Sequence, residues 1–220
     1  MLGRMSDSPR PRAARRAAAR GRRRTSGAAS DTRAELLTAA VRLLSEHDVD
    51  GFSLRQVAEE AGYAPPTVYL HFADKDDLLF QAALEGFATF GGALARAAAS
   101  QEDPVARIEA IGRAYVAFGL SHPVQYRLMF LRRGDLLLRP GPDHPCVMDG
   151  FVVLLDAVEA AMAAGHLERQ PVADVANWLW AWTHGIVALH LTMPRVDAGQ
   201  ALALLERGVQ VMRHGLYRSP

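Results

Sequence analysis

The chain has 220 residues, half of them hydrophobic, with one cysteine and a net charge of +1. That length can bury a substantial core, and a lone cysteine excludes both an internal disulfide framework and a Cys-rich zinc site. No apolar run reaches the roughly eighteen residues of a spanning helix, and the start lacks the apolar stretch of a secretory signal, so neither is expected.

The charge is divided unevenly. Residues 1–30 carry nine arginines against one acid, Asp7, a net +8, and the remaining residues carry −7. Such asymmetry points to nucleic acid or an anionic surface as partner. The first thirty residues are Arg, Ala, Ser, Gly and Pro with hardly a large apolar side chain after Met5, a composition expected to stay disordered. Lys75 is the only lysine against 24 arginines, so the choice of Arg over Lys carries little functional meaning. The tail reads either as solubilising residues, with Met5 a second possible start, or as an arm that neutralises phosphates through residues such as Arg22, Arg23 and Arg24.

Thr32 and Glu35 have the spacing of a capping box that opens a first helix, with Leu36, Leu37, Ala40, Val41 and Leu44 on its apolar face and an end before Gly51. Ser53 and Gln56 form a second box, and Phe52 and Val57 are placed as its hydrophobic staple. The short helix Leu54–Glu60 turns Leu54, Val57, Ala58 and Ala61 inward, and Gly62 follows where a tight turn favours glycine. Pro65 and Pro66 suit the first turn of the next helix, about 64–71. There Val68 and Phe72 face the core, and Thr67, Tyr69, Leu70 and His71 face elsewhere. Asp74 is placed to cap the helix after it. Two short helices joined by a Gly-containing turn form a helix-turn-helix, whose second helix reads DNA.

The stretch Ser53-Leu-Arg-Gln-Val-Ala-Glu-Glu-Ala-Gly-Tyr-Ala-Pro-Pro-Thr-Val-Tyr-Leu-His-Phe-Ala-Asp-Lys75 resembles the DNA-binding signature of the TetR/AcrR family of bacterial repressors, and the likeness runs from about Thr32 to Leu79. It implies an all-α homodimer of about nine helices per chain that binds a two-fold operator. A three-helix helix-turn-helix DNA-binding domain at 31–76 would be followed by a helical ligand-binding and dimerisation domain at 77–220, with the Arg-rich tail of 1–30 ahead of both. One departure is Ala64, where the family often has a small polar cap. By resemblance Pro66, Thr67, Tyr69 and His71 face the major groove and its phosphates, and Lys75 matches a phosphate-binding lysine. Arg55 is a candidate guanine contact, or else the partner of Glu59 one turn on. Tyr69 could instead be partly buried, and His71 could cap the carbonyls of its own helix. Residues 31–76 carry −5, so the tail is expected to supply much of the attraction to DNA.

From Leu78 onward the chain reads as helices over about 78–99, 104 onward (Ile108, Ile111, Tyr115 and Phe118 on one face), a short helix after His122-Pro123, then 146–164, 171–192 and 197–217. An irregular loop lies at 132–145. Trp178-Leu-Trp-Ala-Trp-Thr-His-Gly185, with Pro123-Val-Gln-Tyr-Arg-Leu-Met-Phe130 before it, resembles a subgroup of the family whose ligand domain carries a Trp/His/Gly signature. The resemblance implies a dimer interface on the last two helices, with Gly185 permitting close approach and Leu189, Leu202, Leu205 and Val209 in contact. The effector pocket would lie between the earlier helices, with walls drawn from Phe90, Tyr115, Phe118, Tyr126, Phe130, Phe151, Trp182 and His184, and Phe87, Met129 and Met148 nearby. Each of these also reads as ordinary core, and His184 as a structural hydrogen-bond donor. The lining suits a mainly apolar or aromatic effector.

No His-Glu-x-x-His, Gly-x-Ser-x-Gly or phosphate-binding glycine loop occurs. Asp143, His144 and Cys146 are adjacent but lack a second ligand pair, and Cys146 reads as a buried apolar group or a thiol sensor. The expectation is a cytoplasmic, non-enzymatic DNA-binding repressor with no metal or cofactor and no membrane partner, released by a small-molecule effector. The rivals are an activator, a regulator without ligand, and a helical small-molecule-binding protein or enzyme whose N-terminal module no longer binds DNA.

Overall fold

Apolar side chains recur at three- and four-residue spacing through most of the chain, and the segments so patterned fold as helices. The computed structural model describes residues 30–47, 50–132 and 146–214. The expectations for the arginine tail, Arg22, Arg23 and Arg24 included, for the 133–145 loop with Asp143 and His144, for the Cys146 side chain and for residues past His214 lie outside the described residues. The fold is all-α, with nine helices and no strand among the described residues. The chain divides into two compact units, with the boundary along the sequence between Leu78 and Leu79.

In the first unit α1 covers 30–46 and buries Leu36, Leu37, Ala39, Ala40 and Leu43. The buried stripe therefore includes Ala39 and Leu43, while Val41 and Leu44 lie at its edge. The helix begins ahead of Thr32, so the expected capping box does not form. The Tyr63 hydroxyl donates to the Glu35 carboxylate, and the Thr32 hydroxyl donates to Tyr63 at 3.5 Å. A tertiary partner has taken both side chains that the local pattern assigned to each other.

Helix α2 (Leu54–Glu60) opens as its sequence predicts. The Ser53 amide donates to Gln56 Oε1 at 2.9 Å, and the Gln56 amide donates to Ser53 Oγ at 3.3 Å. The staple residues Phe52 and Val57 are both buried. At the other end the Gly62 amide bonds the Glu59 carbonyl and the Tyr63 amide bonds the Ala58 carbonyl, at 3.1 and 2.8 Å, with Gly62 at φ +79°. This paired closure needs a left-handed residue at Gly62, which a side chain disfavours.

Helix α3 (Pro65–Leu70) is a 3₁₀ helix rather than the expected α-helix. Ala64 offers no side-chain cap and the two prolines offer no amide. The first free amide, that of Thr67, reaches back three residues to the Ala64 carbonyl at 2.9 Å. Tight i→i+3 bonding is how a short, uncapped helix satisfies its first donor. Asp74 then caps α4 (Lys75–Ala99), its Oδ1 accepting from the Asp77 amide at 2.7 Å.

The second unit holds α4 from Leu79 on, with α5 (Pro104–Ser121), α6 (Pro123–Tyr126, widening into a π-helical stretch at Arg127–Arg132), α7 (Cys146–Ala163), α8 (Val172–Thr192) and α9 (Ala198–His214). Among the described residues α4 is the one helix long and apolar enough to cross a membrane, and 56% of its most apolar window is buried. The core is aromatic. Phe87, Phe90, Tyr115 and Tyr126 are almost fully buried, and each such ring contributes about 1.5–3 kcal/mol of burial free energy. Helices α5 and α8 cross closely at Gly119, where an added Cβ would overlap Val187.

Candidate functional site

In the first unit α3 is half core and half surface. Val68 is buried, while Tyr69 is 61% and Leu70 82% exposed. Thr67 and His71 are partly exposed, and Pro66 is exposed. These residues thus share the outer side of one turn-linked helix, where a groove could be met. The sequence already turned Leu70 off the Val68–Phe72 core face, although it is not among the expected DNA contacts.

The charges of this unit are arranged against casual DNA binding. All four basic side chains among its described residues are engaged internally. Arg33 lies 5.5 Å from the Phe72 ring centroid, Arg42 pairs with Glu60 at 3.6 Å, and Arg55 Nε donates to Glu59 Oε1 at 2.8 Å. Lys75 donates to the Phe52 carbonyl and sits 4.2 Å from the Phe52 ring centroid. The i,i+4 partnership of Arg55 is therefore formed, and the hydrogen bond that Arg55 donates to Glu59 raises the Arg55 pKa. The pair is highly exposed, where solvent screening leaves such pairs weakly held, so the guanidinium remains available for exchange. Lys75 differs, because its ammonium is tied to the residue just before the Ser53 cap.

In the second unit a small cavity of about 20 Å³, room for roughly one water, opens between α5, α7, α8 and α9. Its walls include Ile111, Tyr115, Trp180, Trp182, Leu205 and Val209, with Glu109 and Thr183 as polar members. Of the expected pocket residues, Tyr115 and Trp182 line this cavity. The others pack on one another. Phe90 meets Tyr115, Phe118, Phe130 and Trp180 edge-on with centroids 5.0–5.9 Å apart. Phe151 meets Trp180 in the same way at 5.5 Å. Trp180, absent from the expected lining, meets Phe90, Tyr115, Phe130 and Phe151 edge-on. Its place four residues before His184, on the same helix face, was the available signal.

Inside this aromatic packing sits one polar cluster. The Tyr126 hydroxyl lies 2.7 Å from His184 Nδ1, and the Tyr115 hydroxyl lies 3.2 Å from Nδ1 and 3.0 Å from the Tyr126 oxygen. Burial lowers the His184 pKa and raises both tyrosine pKa values well above the usual range. A neutral imidazole with Nδ1 as acceptor lets Tyr126 donate to it and Tyr115 donate to Tyr126, which uses both hydroxyl protons.

The expected dimer contacts divide. Leu189 and Leu202 are exposed, and a Cβ at Gly185 would meet nothing within 4 Å. Leu205 and Val209 are corrected: both are buried against the cavity and are consumed by the protomer's own core. Apolar residues three and four apart on α9 all lie near one stripe, and its phase decides which of them face inward. Among the described residues no group of three His, Cys, Asp or Glu is placed to hold a metal ion.

Residues 36–82 match the family model described as bacterial regulatory proteins, tetR family, and residues 108–212 match that of the tetracyclin repressor-like C-terminal domain. The curated HTH-type transcriptional regulator AcrR of Shigella flexneri is 41% identical over 56 residues. That match covers 26% of this chain, and the chain spans about a quarter (26%) of the length of that relative. Among solved structures, a protein of unknown function from Rhodococcus sp. RHA1 is 26% identical with a TM-score of 0.69, over 85% of this chain and 96% of its own. The fatty acid degradation regulator FadR of Bacillus halodurans is similar in fold, with a TM-score of 0.72 at 17% identity over 85% of this chain and 97% of its own. FadR of Bacillus subtilis, solved in complex with stearoyl-CoA, gives 0.71 at 14% identity over 83% of this chain and 98% of its own.

Proposed function

The chain belongs to the TetR family of bacterial regulatory proteins, and from that premise we propose that it is a ligand-responsive, DNA-binding transcriptional regulator of the cytoplasm. It acts as a repressor, binds a palindromic operator as a homodimer, and leaves DNA when a small, mainly apolar effector enters the second unit. It has no catalytic role and needs no cofactor. The observation that carries the reading is the capped helix-turn-helix whose outer helix leaves Tyr69 and Leu70 exposed.

In this reading Tyr69 and His71 donate to phosphates, and Pro66 and Thr67 offer small apolar contacts to thymine methyls. Arg55 exchanges Glu59 for guanine. The engaged cations of the module support a division of labour, in which the arginines of residues 1–30 supply long-range attraction and α3 supplies geometry. The dimer forms through the exposed side of α8 and α9 around Gly185, Leu189 and Leu202. The Trp178–Gly185 segment is the signature of its subgroup, and the meeting of His184 with two tyrosines supports a polar handle for the effector there.

Effector entry shifts the population toward dimers whose recognition helices no longer match successive major grooves. Coupling of about 1–3 kcal/mol is enough for a 5- to 150-fold loss of operator affinity. One fold neighbour carries stearoyl-CoA, but an acyl chain would here have to open a cavity now sized for roughly one water. Nuclease footprinting on the DNA flanking the protein's own gene tests the reading. A protected sequence with two-fold symmetry supports it, and uniform cleavage at saturating protein refutes it.

A further inference from the structure

The cavity between α5, α7, α8 and α9 has one feature that an apolar effector alone does not explain. Glu109, on α5, lines it and is only 8% exposed. A buried carboxylate is tolerated only when compensated. Arg213 of α9 supplies most of this, its Nε donating to Glu109 Oε1 at 2.6 Å. Arg113, one turn along α5, lies 3.5 Å from Oε2 but is committed elsewhere, its guanidinium forking onto Glu206 of α9 at 2.8 and 3.1 Å. Hydrogen bonding within that pair lowers the Glu206 pKa and raises that of Arg113. Two Arg–Glu contacts thus clasp α9 over the cavity.

The two partners of the Glu109–Arg213 contact are not alike. The Arg213 side chain is 51% exposed, so when displaced it regains water at little cost. Glu109 cannot do the same. A movement of α9 that withdraws Arg213 leaves the carboxylate beside apolar walls with only the longer Arg113 contact of its own helix, 3.5 Å from Oε2. A neutral guest leaves that penalty unpaid and an anionic guest adds to it. A guest with its own cation removes it, and the indoles of Trp180 and Trp182 on the same walls suit an organic cation.

We propose that the space beneath α9 is a closed binding site for an apolar amine, whose ammonium replaces Arg213 at Glu109 while its body lies against Trp180, Trp182 and Leu205. The proposal rests on the ligand-responsive reading and names the effector class. Gly112 supplies an independent handle. A Cβ there would make ordinary contacts of 3.7 Å with Thr183 and 3.9 Å with Leu205, so a larger side chain enters this space.

Three probes of one shape test it on the full chain near neutral pH: 4-phenylbutylamine, 4-phenylbutanol and 4-phenylbutyrate, followed by calorimetry and by tryptophan fluorescence. The amine is expected to bind roughly tenfold more tightly than the alcohol, about 1.4 kcal/mol, and the acid more weakly than both. Glu109→Gln is expected to bring the amine to the level of the alcohol. Arg213→Ala removes the competitor and is expected to tighten the amine alone. Gly112→Val is expected to weaken all three. Equal binding of amine and alcohol, a preference that survives Glu109→Gln, or no binding at all overturns the site. Arg213→Ala acts in the opposite direction to a folding defect, so misfolding cannot mimic the expected pattern. Footprinting of the same preparation keeps the two claims apart. Protection of DNA without amine binding overturns the site alone, and amine binding without protection overturns the regulatory reading alone.

Discussion

Lys75, the only lysine of the chain, donates to the carbonyl of Phe52 and lies 4.2 Å from the centroid of its ring. The first residue of α4 therefore holds the residue that precedes the Ser53 cap of α2. Lys75→Met removes a charge-assisted hydrogen bond of about 1.5–3 kcal/mol and is expected to lower the melting temperature. DNA affinity should fall with it while the salt dependence stays the same, because Lys75 acts by positioning α2. A slope reduced by about 0.9 would instead identify Lys75 as a direct phosphate contact.

Two glycines of the second unit separate packing from assembly. At Gly119 a Cβ would overlap Val187, so Gly119→Ala is expected to destabilise the protomer by about 1–3 kcal/mol through overpacking. At Gly185 there is open space, so Gly185→Leu should leave the protomer intact. It is expected to convert dimer to monomer in sedimentation analysis if α8 meets a second copy there. A dimer unchanged by Gly185→Leu would move the interface elsewhere.

Burial of the Tyr115–Tyr126–His184 cluster gives a stability profile with two limbs. The His184 pKa is lowered by desolvation, so the unfolded chain takes up its proton first. Stability is present above the ordinary histidine value of about 6.5 and is lost as pH falls from there toward the folded value. The tyrosine pKa values are raised by burial, so stability is also lost as pH rises through about 10, the ordinary tyrosine value. Melting temperatures across pH check both limbs. His184→Gln, which does not titrate, should flatten the acid limb, and an acid limb of unchanged depth would place its origin in another group.

Removing residues 1–29 tests the division of labour on DNA. With the four module cations engaged internally, the truncated protein is expected to bind more weakly and to show a shallower salt dependence, by about 0.9 per lost phosphate contact. A slope equal to that of the full chain would contradict the role given to the tail.

Local chemistry was legible in advance where the partner lay within a few residues. Ser53 with Gln56, Gly62 and Asp74 are resolved by short-range bonding alone, and the structure places each as its spacing implied. The reading failed where a distant residue intervened. Thr32 and Glu35 have box spacing, yet Tyr63 takes both. Trp180 and Trp182 are two apart on one helix and both reach the cavity, yet the sequence pattern singled out Trp182 alone, because helix phase is set by packing. Leu205 and Val209 turned inward for the same reason. The charges of α5 and α9 gave no hint of pairing, because Glu109 and Arg213 are separated by 104 residues.

The proposed reading of DNA by the exposed side chains of α3 is tested most directly by a gel shift on DNA flanking the protein's own gene, with wild-type protein compared to Tyr69→Ala in excess non-specific competitor. A competitor-resistant complex is expected for the wild type, and its loss in Tyr69→Ala with the melting temperature and sedimentation of the protein unchanged. A wild-type complex that competitor abolishes, or a Tyr69→Ala protein that binds as the wild type does, would contradict it.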